Sequence, residues 1–194
     1  MAIIPINDPS TTSRSDTPLN FRSFESKILY FNGMYKLPCP PKPTLMAVAK
    51  AERLSMLAQT TDNAEIDDIN EASPAAFISR RLTAFKHTLL KEIEEVDLIL
   101  EGMSTGYGDQ VDILTELADW LGDIQVYCAS EMAKFGLPNK EILEIIMRSN
   151  FSKLQSDGST KYDADGKVEK GPFYWKPEPE IKKLIVELTS AGRE

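Results

Sequence analysis

The spacing of apolar residues predicts a chain built almost entirely from helices. In several long stretches apolar positions recur at steps of three and four, which is the period of one face of an α-helix. The predicted helices span residues 20–34, 45–59, 74–100, 110–135, 139–154 and 180–188. Short loops join most of them, so the predicted fold class is all-α, an antiparallel helix bundle.

Two of the segments between helices are predicted to lack secondary structure for different reasons. Residues 37–44 contain four prolines, which block helix formation, so this piece is predicted to be an extended connector. Residues 60–73 are mainly acidic and polar. They predict a loop in which Ile66 and Ile69 could anchor a turn.

The two ends of the chain depart from the helical pattern. Residues 1–19 are rich in Ser, Thr, Asp and Pro and are predicted to form a flexible arm. Residues 157–158 and 165–166 are Asp-Gly turn signals, and β-compatible runs beside the second favour a small C-terminal hairpin. The predicted organisation is therefore an arm followed by one helical domain over residues 20–194, with a core at about 74–155.

Composition limits the classes of partner. A net charge of −8 argues against a general affinity for nucleic acid or for an anionic membrane. Neither a secretory signal core nor an 18-residue apolar run is present in the sequence, and Cys39 and Cys128 are far apart, so a reduced cytoplasmic setting is predicted. A single histidine, His87, argues against a histidine-based metal site or a Ser/His/Asp triad.

Two clusters of carboxylates at helical spacing are the candidate chemistry. Glu92 and Glu95 lie three apart on one predicted helix, and Glu116, Asp119 and Asp123 follow on the next, so each cluster occupies one helix face. The loop between them is long enough to return the chain antiparallel. Unit charges about 4 Å apart repel by roughly 4 kcal/mol at an effective dielectric of about 20. A cation is therefore expected between the faces, and an all-oxygen site suits Mg²⁺, or Mn²⁺, better than zinc.

Alternatives to this interpretation remain open. Acids three or four residues apart are common on solvated helix surfaces, but Leu117 and Leu121 beside the second cluster favour a partly buried site. Asp123 is either an additional ligand or second acceptor, or a surface acid. Trp120 is a candidate for stacking on a nucleobase, with a place in the core or in a subunit interface as the alternative.

The acidic motifs resemble those of a known family. Glu-x-x-Glu followed by Glu-x-x-Asp in the context Glu-Leu-Ala-Asp is similar to the all-α nucleoside triphosphate pyrophosphohydrolases of the MazG superfamily, over roughly residues 77–153. The resemblance implies that Glu92, Glu95, Glu116 and Asp119 are the metal ligands and catalytic residues. It also implies a MazG-like bundle that forms a homodimer or a dimer of dimers.

The resemblance extends to two residues beyond the acids. The sequence departs from the family pattern at two points. Asn150 and Lys153, in Asn-Phe-Ser-Lys, match positions that contact substrate phosphates in the family, and residues 161–177 resemble the tail of a subgroup. The first 70 residues exceed the minimal family core, and Asp123 stands where many relatives carry an apolar residue.

The activity implied by the resemblance is Mg²⁺-dependent hydrolysis of a nucleoside triphosphate to a monophosphate and pyrophosphate. Phosphoribosyl-ATP is the alternative substrate within the same class. A hypothesis from another class is a non-catalytic helical dimer whose acids bind a structural metal or a basic partner.

Overall fold

Eight α-helices make up the secondary structure of the described part of the chain. The computed structural model describes residues 23–106 and 108–191, so the arm predicted over residues 1–19 lies outside the described residues. The helices are α1 Phe24–Met34, α2 Met46–Leu57, α3 Asn63–Glu71, α4 Pro74–Glu94, α5 Val96–Thr105, α6 Gln110–Lys134, α7 Asn139–Phe151 and α8 Glu178–Ser190. The prediction of an all-α fold is confirmed.

Helix α6 is the central element of the bundle. It packs against α1, α4, α5 and α7, while α2 covers α4 and α8 packs on α7. The ends of α6 are those that its sequence signals predict: Asp109 caps its first turn, and Gly136 lies just past its end with φ 66°. Among the described helices, none is both long and apolar enough to cross a lipid bilayer.

The prediction of a loop over residues 60–73 is wrong, because most of this segment forms α3. The side chain of Asp62 accepts hydrogen bonds from two backbone amides of the first turn, which satisfies donors that a helix start leaves unpaired. Ile69 is only 3% exposed and packs in the core with Phe77. One cap and one buried side chain thus stabilise a two-turn helix in a polar stretch.

The prediction of a single helix over residues 74–100 is also wrong, since the helix is interrupted at Glu95 and forms α4 and α5. The amide of Glu95 is shared between the carbonyls of Lys91 and Glu92, at 3.2 and 3.3 Å, and the amide of Leu98 bonds to the Glu95 carbonyl at 3.1 Å. Bonds from i to i+3 thus occur at this point, one of them shared with a regular i to i+4 bond. Helix α5 then continues to Thr105, further than predicted.

The predicted C-terminal hairpin is reduced to one antiparallel bridge between Tyr162 and Val168, and the described residues contain no β-strand. The segment after this bridge is held on α7. The Ser149 hydroxyl donates to the Trp175 carbonyl at 2.8 Å, and the Trp175 amide donates to the Ser152 hydroxyl at 3.2 Å. These bonds, rather than strand pairing, position the approach to α8.

Candidate functional site

An acidic cavity of about 310 Å³ lies between α5, with its junction to α4, and the first half of α6. Each wall is one helix face with residues at i, i+3, i+4 and i+7, the spacing that places side chains in a row. The lining residues are Glu95, Leu98, Ile99 and Gly102 from one wall and Glu116, Asp119, Trp120 and Asp123 from the other. The predicted meeting of two acidic helix faces therefore takes place around this cavity.

The turn between the two walls is built from strong local signals. Gly106 ends α5 in the left-handed conformation, with φ 68°, which glycine adopts without a steric penalty. The Asp109 side chain then accepts from the amides of Val111 and Asp112 at 2.7 and 3.0 Å, while Asp112 accepts from the Asp109 amide at 2.9 Å. This reciprocal capping fixes where α6 starts and hence which of its residues face α5.

Glu92 differs from the other four acids because it is buried. It is 9% exposed and does not line the cavity, although Glu95 and Asp123 are close enough to influence its ionisation. Burial raises the pKa of Glu92 above its ordinary value, the negative charges of Glu95 and Asp123 raise it further, and side-chain hydrogen bonding with Tyr127 opposes the rise. Burial and two neighbouring negative charges therefore both favour the neutral form of Glu92.

Trp120 connects the two walls by a hydrogen bond. Its indole Nε1–H donates to the backbone carbonyl of Glu92 at 2.5 Å, from α6 across to the end of α4. The bond lies next to the point where α4 gives way to α5, and the ring itself lines the cavity. Trp120 thus makes a structural contact beside the cavity, while nucleobase stacking and a place in a subunit interface stay predictions.

The acids of the cavity form no ion pair with a described Lys or Arg. Within residues 23–106 and 108–191, no Lys or Arg forms an ion pair with Glu92, Glu95, Glu116, Asp119 or Asp123. Like charges without a cation between them are expected to spread. In keeping with this, no group of three or more His, Cys, Asp or Glu side chains in the described residues is close enough to hold a metal ion.

Asp123 is exposed and lies in the cavity wall, a place that fits either of the roles predicted for it. It lines the cavity, four residues after Asp119 and seven after Glu116. Tyr127 follows another four residues along the same row, and burial, followed by the charges of Glu92 and Asp123, raises the pKa of its hydroxyl. The heptad spacing from Glu116 was the sequence signal for Asp123, whereas Tyr127 had none because tyrosine is common in helix cores.

Asn150 and Lys153 are not among the residues that line the acidic cavity. Asn150 is exposed near the end of α7, and Lys153 is half-buried just beyond it. The backbone carbonyl of Lys153 accepts from the Gly171 amide at 2.9 Å, which ties this corner to the C-terminal segment. The structure therefore brings together the cavity acids but leaves these two residues outside their cavity.

Comparison with known proteins gives a distant likeness to solved structures. Neither a protein-family model nor a curated protein matches the chain. Among solved structures, it is similar to the crystal structure of a candidate NTP pyrophosphohydrolase from Exiguobacterium sp. 255-15, with 19% sequence identity, a TM-score of 0.43, and coverage of 87% of this chain and 97% of that one. At this level the likeness establishes neither family membership nor activity, so the functional argument depends on the residues and geometry of this chain.

Proposed function

We propose that this protein is a Mg²⁺-dependent nucleoside triphosphate pyrophosphohydrolase that releases pyrophosphate and a nucleoside monophosphate. One observation carries the proposal: two antiparallel helix faces present Glu95, Glu116, Asp119 and Asp123 to one cavity, with no ion-pair partner among the described residues. The motif resemblance agrees with this placement, because three of its four acids line the cavity and Glu92 lies beside it.

The donor chemistry of the site fits Mg²⁺ or Mn²⁺. All candidate donors are carboxylate oxygens, which hard divalent cations prefer, and described histidine and cysteine side chains are absent from the lining. Glu95, Glu116 and Asp119, with Glu92 as the fourth residue of the motif, are proposed to hold the ion. The carboxylates would move together as their repulsion is neutralised.

In the proposed reaction the protein supplies position and a proton acceptor. When bound, Mg²⁺ supplies positive charge that neutralises the triphosphate and a fixed orientation for the attacking water. The water oxygen would bond to phosphorus, the phosphoanhydride P–O bond would break, and pyrophosphate would leave with the bonding electrons. A cavity carboxylate that does not hold the ion, with Asp123 as the proposed residue, would accept the proton that the water loses.

Asn150 and Lys153 are proposed contacts of substrate phosphates on the motif resemblance alone. Lys153 would neutralise charge on the departing pyrophosphate. Neither residue lines the cavity, so the substrate would have to extend beyond it to reach them.

A homodimer, or a dimer of dimers, is part of the proposal. The walls of the acidic cavity leave large apolar side chains exposed on their other faces, more than single scattered residues would explain. These residues include Leu100, Met103, Val111, Leu114 and Leu121. A second copy of the chain would cover them.

The activity is tested by measuring pyrophosphate release from a panel of NTPs, dNTPs and phosphoribosyl-ATP with Mg²⁺. We expect turnover of at least one nucleotide and a loss of at least about 100-fold in Glu95→Gln and Glu116→Gln, as is typical when a transition-state charge interaction is removed. Glu94→Gln is the matched control, since Glu94 is exposed and does not line the cavity.

Three outcomes of this panel, combined with calorimetric titration of Mg²⁺ and of a non-hydrolysable nucleotide, distinguish the candidate functions. Preference for phosphoribosyl-ATP would replace the substrate but keep the reaction. Metal-dependent nucleotide binding without turnover would contradict the hydrolase. No turnover combined with binding of Mg²⁺ alone would favour a metal-binding helical dimer without catalytic activity.

The dimer is tested by sedimentation equilibrium. Leu100→Glu and Leu114→Glu should shift the protein to monomer, because each places a charge in the proposed interface, whereas Leu143→Glu on the exposed face of α7 should not. A wild-type protein that remains monomeric at about 100 μM, well above the Kd of a stable dimer, would contradict the assembly.

A further inference from the structure

The division of the chain at Glu95 has no cause in the local sequence. Residues 92–98 contain neither proline nor glycine, which are the residues that usually interrupt a helix. The apolar spacing also continues through this point, as the prediction of one helix shows. A side chain inserted from another part of the fold is a further known cause of such a break.

The contact at this point is the indole of Trp120. In a regular helix the Glu92 carbonyl would accept from the amide four residues later. Here it accepts from the Glu95 amide at 3.3 Å and from Trp120 Nε1–H at 2.5 Å. A side chain that inserts a donor into the backbone ladder is a known origin of a helix break.

The break coincides with a change in the surroundings of the two acids. Glu92, before it, is buried and outside the cavity, whereas Glu95, at the junction, is exposed and lines it. Trp120 itself lines the same cavity, next to Asp119. The residue whose indole bonds to the Glu92 carbonyl is thus part of the wall that faces Glu95.

We infer that Trp120 is a positioning residue of the metal site: its bond to the Glu92 carbonyl holds the junction between α4 and α5 and so directs Glu95 into the acidic cavity. This inference rests on the proposed function, since it assigns Trp120 a role in binding the metal that the acids hold. Without the indole donor, the Glu92 carbonyl returns to the backbone ladder, the junction becomes regular helix, and Glu95 and α5 change direction relative to α6.

The test is Trp120→Phe, which keeps an aromatic ring and removes the N–H. Hydrogen exchange followed by mass spectrometry reports the junction directly, and Mn²⁺ titration by electron paramagnetic resonance reports the site without substrate. We expect slower amide exchange over residues 95–98, since the helix closes. We also expect a 10- to 100-fold weaker Kd for Mn²⁺, the range typical when support of a metal ligand is removed.

Trp175→Phe is the matched control, since Trp175 lies against Arg148 on α7 and does not line the cavity. It should leave both readouts unchanged. If Trp120→Phe does not fold, benzothienylalanine incorporated at position 120 in the Trp175→Phe background replaces N–H by sulfur with nearly the same ring shape, and the same results are expected.

The outcomes separate this inference from the proposed function. Unchanged exchange over residues 95–98 or an unchanged Mn²⁺ Kd in the variant, with Mn²⁺ bound by the wild type, overturns the inference and leaves the hydrolase standing. A wild-type protein that binds no Mn²⁺ and hydrolyses no nucleotide overturns both.

Discussion

Carboxylates at the two ends of the α4–α6 pair differ in whether a cation compensates their charge. At one end, Glu131 has a side chain only 6% exposed and is bound by two cations: Arg81 donates through Nε at 2.9 Å and through a second, closer contact, and Lys134 donates at 3.0 Å. At the other end, five acids on or beside the cavity have no ion pair with any described cation.

The comparison separates an acid that stabilises the fold from acids that do not. Charge compensation lets Glu131 remain buried, and its carboxylate joins two helices across 50 positions of sequence. The uncompensated acids contribute repulsion to the free protein. Helix α6 carries both arrangements, so one element holds a charge-compensated acid near its end and acids without a described ion pair in the cavity wall.

The largest expected loss of stability comes from removing the charge of Glu131. Glu131→Gln removes the charge that compensates Arg81 and Lys134, and it should lower the free energy of unfolding by about 3–5 kcal/mol, as for other buried pairs that lose one partner. Urea unfolding measures the change. Glu180→Gln, in a half-exposed pair with Arg148, should cost at most about 1 kcal/mol, and equal losses in the two variants would contradict the contrast.

Mg²⁺ should stabilise the folded protein by binding to the cavity acids. Mg²⁺ at about 100 times its Kd should raise the free energy of unfolding by about 2.7 kcal/mol through mass action, because the native state alone brings the acids together. The rise, measured by urea unfolding with Mg²⁺ and with a chelator, should be absent in Asp119→Asn. A rise of the same size in that variant would place the ion elsewhere.

The smallest expected change in stability comes from substituting Glu92 in metal-free buffer. Its pKa is raised above the ordinary 4.5, chiefly by burial. A carboxyl whose pKa is higher in the folded state contributes stability that is fully present below the unfolded value and is lost as pH rises through the folded value. Glu92→Gln should therefore be more stable than wild type at pH 7, by less than the metal effect.

The pH dependence of that difference provides its check. The advantage of Glu92→Gln should shrink as pH falls through the raised pKa toward 4.5, since wild-type Glu92 then becomes neutral as well. Urea midpoints measured with a chelator between pH 4 and pH 7 report it. An advantage that grows on acidification would contradict the sign of the shift.

The sequence predicts the elements whose signals are local. Helix α6 was placed correctly because Asp109 and Gly136 mark its ends, and the rows of acids follow from helical spacing alone. Helix α3 was missed because its stability comes from the burial of Ile69 against Phe77, a contact between distant parts of the chain. Hydropathy within the segment could not reveal it.

The candidate site likewise has features that local spacing predicts and features that depend on tertiary contacts. That Glu95, Glu116 and Asp119 would share a cavity followed from two local spacings and a loop of suitable length. The different surroundings of Glu92 and Glu95 could not be predicted, because the break between them accompanies a hydrogen bond from Trp120 on another helix. The separation of Lys153 from this cavity likewise depends on tertiary packing.

One row along α6 carries both kinds of acid, since Asp123, Tyr127 and Glu131 follow one another at steps of four. Each residue turns a helix by about 100°, so an insertion or deletion of one residue between Asp123 and Glu131 would rotate the cavity acids relative to the pair with Arg81. Either the ion pair or the acidic wall would then lose its orientation. The number of residues in this part of α6 is therefore constrained from both directions.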